Sequence, residues 1–149
     1  MSRAFLIVMD SAGCGGAPDA GDFGDAGANT LAHIAAECAA GRADQGRGGP
    51  LRMPVLDALG LSAAVRLASG ADMPGMEATP QGRWGAATEV SRGKDTPSGH
   101  WELAGQVVPW DWTYFPHTTP AFPDALVARV CALAGTAGPW RNRADWRCD

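Results

Sequence analysis

"AFLIVMDSAGCGGAPDAGDFGDAGAN", residues 4–29, joins two stretches of opposite character. Residues 4–9 are a continuous apolar run rich in β-formers, the pattern of a strand buried on both faces in a parallel sheet. The next twenty residues hold six glycines and four aspartates, which no regular element tolerates, so they read as a long loop leaving the C-terminal end of that strand. In open α/β sheets ligands gather at this edge. Asp10, the first residue after the run, is therefore a candidate site residue, although a turn or cap role is its plainer reading when it is taken alone.

Working outward, "TLAHIAAECAAG" places Leu31, Ile34, Ala35 and Cys38 at helical spacing, with Asn29 or Thr30 as N-cap and Gly41 as the stop. His33 falls on the exposed or boundary face of that helix. "GRADQGRGGP" is a polar loop, and "MPVLDALGL" sets Pro54 in the first turn of a short helix ended near Gly60. Residues 69–81 read as irregular and residues 83–90 as a second strand. "PDALVARVCALAG" is an amphipathic helix carrying Leu126, Val127, Val130, Cys131 and Leu133, stopped by Gly135. Strand, loop and helix in this order give an α/β fold.

The composition narrows the function. The chain has 149 residues, 46% of them hydrophobic, enough for a core, while 20 Gly and 11 Pro call for short elements and many loops. A net charge of -4, with the twelve Lys and Arg scattered, argues against nucleic acid as a partner. Cys14, Cys38, Cys131 and Cys148 form no C-x-x-C pair, which fits neither a zinc site nor a dense disulfide framework and suits a reducing cytoplasm. The six-residue apolar run is too short for a membrane span or a secretion signal, so no membrane partner is expected. Gly13, Gly15 and Gly16 do not make a dinucleotide fingerprint, because Pro18 stands where its last glycine belongs.

A second stretch, "SRGKDTPSGHWELAG" at residues 91–105, is dominated by charged, hydroxylic, Gly and Pro residues and reads as neither a helix nor a buried strand. Thr96 stands between Asp95 and Pro97. A threonine hydroxyl is a weak nucleophile until a base or metal activates it. Lys94 can balance phosphate charge, and Asp10 and Asp95 can serve cations. Ser98 and His100, two residues apart, lack the G-x-S-x-G elbow and make a poor nucleophile and base. Trp110, Trp112, Tyr114 and Phe115 cluster further on and suggest a contact surface, the basis of an alternative reading as a non-catalytic interaction fragment.

Together, "FLIVMDSAGCGGAPDAGDFGDAGANTLAHIA" and "SRGKDTPSGHWELAG" resemble the two N-terminal signatures of phosphopentomutases, metal-dependent members of the alkaline phosphatase superfamily. The resemblance runs from about residue 2 to about residue 133. It implies an enzyme interconverting ribose 1-phosphate and ribose 5-phosphate, and the deoxyribose equivalents, in nucleoside salvage, through a phosphothreonine and a bisphosphorylated sugar. Thr96 would carry the phosphoryl group. Asp10 and Thr96 would bind among the ligands of two Mn2+ ions, with Mg2+ as the other fitting metal. Lys94, Asp95, Ser98 and His100 would bind phosphate or substrate. The implied fold is the N-terminal part of an alkaline-phosphatase-like core sheet with helices on both faces over residues 1–111. The start of an inserted cap domain would follow over residues 112–149.

By the same resemblance the remaining metal ligands belong to a C-terminal part of the core that this chain does not include. Little or no activity and poor stability are expected of it alone. "GPWRNRADWRCD" departs from the family pattern, as either a change of reading frame near Gly135 or a local divergence would make it do. The oligomeric state has no signature here. Cofactor-independent phosphoglycerate mutases, the nearest enzyme alternative, are similar in architecture but use a serine where Thr96 stands.

Overall fold

The computed structural model describes residues 2–136; the tail, with Trp140, Trp146 and Cys148, lies outside the described residues. Five α-helices are present among them: α1 (Thr30–Ala39), α2 (Pro54–Leu59), α3 (Leu61–Ser69), α4 (Thr96–Leu103) and α5 (Asp124–Ala134). The chain divides into two compact units, the first ending at Pro109 and the second beginning at Trp110.

The core of the first unit lies where α1 and α3 meet the segment after α3. Leu31, Ala32 and Ala35 of α1 pack with Val65 of α3 and with Met73 and Met76, and Ala12 and Cys14 from the glycine-rich loop lie against this cluster. The spacing of Leu31, Ala35 and Cys38 puts all three on the buried face, whereas Ile34 stays 44% exposed. Asn29 caps α1 by accepting from the Ala32 N–H at 3.3 Å, and its amide donates to Ser69 Oγ at 2.7 Å, which joins the start of α1 to the end of α3.

Gly60 ends α2 and opens α3 with φ 112°, a backbone that L side chains rarely adopt. A Cβ there would lie 2.6 Å from the Trp84 side chain. The two helices are further joined by the buried Asp57, which accepts from Ser62 Oγ at 2.5 Å and from the Ala78 N–H at 2.9 Å. Helix α3 had no counterpart in the sequence reading, because its start directly after Gly60 hides it behind the stop signal of α2.

The two expected strands are absent: none of the described residues forms one. Residues 4–9 are irregular and exposed, with Phe5 at 84% and Ile7 at 85%. A strand is held by hydrogen bonds to a neighbour, and an apolar run without one has nothing to stabilise the extended form. Residues 83–90 are likewise irregular.

The second unit contains α5, which ends at Gly135 in the left-handed conformation as the sequence suggested, although none of its residues is buried. Here Trp110 and Trp112 meet edge to face at 6.1 Å, and Phe115 and Phe122 do so at 4.7 Å. Trp110 and Tyr114 remain about half exposed.

Candidate functional site

The stretch around Thr96, read from its composition as neither helix nor strand, makes a helix, and the correction has a clear cause. Asp, Thr, Pro and Ser are poor helix interiors but good helix beginnings. Asp95 is the N-cap of α4, in an extended conformation with φ -156°, and Thr96 and Pro97 are its first helical residues. One carboxylate oxygen of Asp95 accepts from the Ser98 N–H at 2.7 Å and the other from the Ser98 hydroxyl at 2.8 Å.

This cap sorts the candidate residues. Ser98 is fully buried and bonded to Asp95, so it is a capping partner and no exposed nucleophile. The His100 ring Nδ1 lies 2.9 Å from the Thr96 carbonyl oxygen, one turn along the same helix. Thr96, by contrast, is exposed at the first position of the helix. Its place beside the positive end of the helix dipole suits a group that is to carry negative charge.

Lys94 is ion-paired with Asp25 at 2.5 Å, and the Gly93 N–H donates to Asp19 Oδ2 at 3.0 Å. A cleft of about 240 Å³ lies between the two loops, lined by Gly15, Gly16, Asp19, Asp25, Glu89 and residues 93–95, among others. The glycine-rich loop thus reaches the residues that lead into the cap of α4. Asp10 is exposed in a turn, next to Ser11 with φ 59°, and joins none of the hydrogen bonds around the cap.

Two glutamates that the sequence reading passed over complete the surroundings. Glu102, at the far end of α4, accepts from the backbone N–H groups of Val90 and Ser91. A hydrogen bond from the Ser91 side chain, with these two backbone bonds, holds its carboxyl below the usual range. Ser91 Oγ also accepts from the Val108 N–H at 3.0 Å. Glu89 behaves in the opposite way: burial first, then the charges of Glu102, Asp95 and Asp19, push its carboxyl up. One of its oxygens is buried without a hydrogen-bond partner. Neither glutamate has a periodic signal in the sequence; the spacing of Glu102 from the cap, one short helix away, is the nearest thing to one.

Among the described residues no three acidic, histidine or cysteine side chains converge as a metal centre needs. Asp10 and Thr96 are oxygen donors of the kind that suits Mn2+ or Mg2+, but two donors do not fill the coordination of two such ions.

Comparison with known proteins decides the ancestry. The phosphopentomutase of Sinorhizobium medicae (strain WSM419) is 60% identical over 143 residues, and that of Rhizobium meliloti (strain 1021) is 59% identical over 143 residues. The chain is homologous to the phosphopentomutases. The match takes in 93% of this chain and 35% of each of those two relatives, as it also does for the phosphopentomutase of Rhizobium leguminosarum bv. trifolii (strain WSM2304) at 55% identity. The chain therefore spans about a third of the length of the phosphopentomutases it matches. No family model and no solved structure matches it. Among the described residues no helix is long and apolar enough to cross a membrane.

Proposed function

We propose that this chain carries the phosphoryl-accepting segment of a phosphopentomutase, with Thr96 as the residue that is phosphorylated. The single observation behind this is the exposed Thr96 hydroxyl at the first position of α4, held by the Asp95 cap in a chain homologous to phosphopentomutases. The substrates are the 1-phosphates and 5-phosphates of ribose and deoxyribose. Phosphothreonine passes its phosphoryl group to the free hydroxyl of the sugar phosphate, which leaves the threonine hydroxyl and a sugar bisphosphate. The other phosphate then returns to Thr96.

In this reading Asp95 holds the backbone that presents Thr96, and Lys94 supplies positive charge beside the transferred group. A divalent metal, Mn2+ or Mg2+, would supply charge neutralisation at the phosphoryl oxygens when bound. Asp10 and Thr96 would be among its ligands and do not by themselves complete its shell. The fold reading belongs with this proposal: residues 4–9 would join a sheet of the alkaline-phosphatase kind, with the second unit as the start of a cap.

The test is a chimera in which this chain's matched residues replace the equivalent stretch of the Sinorhizobium medicae phosphopentomutase. It should interconvert ribose 1-phosphate and ribose 5-phosphate, and Thr96→Val should reduce turnover by about 10³-fold or more. A chimera whose Thr96→Val variant keeps full turnover would refute the assignment.

A further inference from the structure

We propose that Asp19 is a positioning residue for Thr96, with Asp25 as a second and weaker grip. The proposal rests on the reading of Thr96 as the phosphoryl carrier. Three contacts support it. Asp19 Oδ2 accepts from the Gly93 N–H at 3.0 Å, and Asp25 pairs with Lys94, the next residue. Asp95, the residue after that, caps α4 through both of its oxygens. The loop therefore holds two consecutive residues immediately before the cap, which fixes both the place and the direction from which the chain enters α4.

The gripping loop is itself stiff. A 3-10 turn over Ala20–Phe23 separates the two aspartates. The backbone bonds from Asp22 N–H to Asp19, Asp25 N–H to Ala20 and Ala28 N–H to Asp25, at 2.9 to 3.0 Å, close the loop on itself. It is rooted at the core by the Leu31 N–H, which donates to Gly13 at 3.1 Å. A path of hydrogen bonds and one ion pair thus runs from the buried face of α1 to Gly93 and Lys94, just before the cap, and the exposed hydroxyl is held although nothing covers it. The bond from Gly93 to Asp19 is charge-assisted and partly buried, the stronger kind of contact, whereas the pair between Asp25 and Lys94 is exposed and screened.

Amide hydrogen exchange on the intact chain tests this. Asp19→Ala should speed exchange about tenfold at Gly93 and at Ser98, whose N–H makes the cap bond, while Ala35 in α1 keeps its rate. Asp19→Asn retains an acceptor oxygen and should restore most of the protection. Asp25→Ala should give the same pattern more weakly, and Asp22→Ala on the same turn should change nothing. The proposal is overturned if Ser98 does not respond to Asp19→Ala, if Ala35 speeds up in parallel, or if Asp19→Asn is as damaging as Asp19→Ala. An active chimera with unresponsive exchange removes the grip alone. A chimera indifferent to Thr96 removes the phosphoryl reading and the positioning role together, even if exchange responds.

Discussion

At the scale of single residues, Glu89 and Glu102, the latter in the last turn of α4, respond to pH in opposite senses. Glu89 has its carboxyl pushed up by burial and by the neighbouring charges of Glu102, Asp95 and Asp19. Its ionisation therefore costs stability as pH rises through its folded value, and the cost vanishes below the unfolded value near about 4.3. Glu102 has its carboxyl held down by the Ser91 side chain and by backbone N–H groups, so its contribution exists above that unfolded value and is lost as pH falls through the folded one. Glu89→Gln should raise the urea midpoint at neutral pH and leave it unchanged in acid; Glu102→Gln should lower it at neutral pH, with the difference closing in acid. Equal effects at both pH values would contradict the assignment. Neither glutamate stood out in the sequence, because what distinguishes them is the number of partners each finds across the fold. Asp95 and Thr96 stand out in the sequence for their chemistry, while the cap that explains their order depends on Pro97 acting as a helix beginner.

At the scale of elements, legibility followed the punctuation. Helices α1 and α2 and the end of α5 were readable from Asn29, Pro54, Gly60 and Gly135, each of which acts within one turn of its own position. Helix α3 was missed because Gly60 serves two helices at once. That double duty has a measurable cost if it is disturbed: Gly60→Ala combines a positive φ with a collision against Trp84 and should destabilise the first unit by about 2 kcal/mol or more in urea titrations. Val65 is fully buried between α1 and the two methionines, and Val65→Ala should cost about 2 kcal/mol by the same measurement. A variant at either position with an unchanged midpoint would show that the core lies elsewhere.

At the scale of the whole chain, the two signatures were legible as a pair, and homology bears the pairing out over nearly all of this sequence and about a third of its relatives. The strand expected at residues 4–9 is not formed among the described residues, since a strand is a property of two paired segments and an apolar run in the sequence does not say which segment pairs with it. What is found is a run of five large apolar side chains, Phe5 to Met9, each 47% exposed or more. Such a surface favours self-association. Ile7→Lys should shift sedimentation toward a single slower species without lowering the urea midpoint, and an unchanged distribution would place the sticky surface elsewhere. The same run has a consequence for lifetime. An irregular, uncovered apolar stretch needs no unfolding to enter a protease cleft, so chymotrypsin should cut at residues 5–9 while α1 and α3 are still intact. The survival of the chain would then be governed by a segment that the stability of its core does not protect.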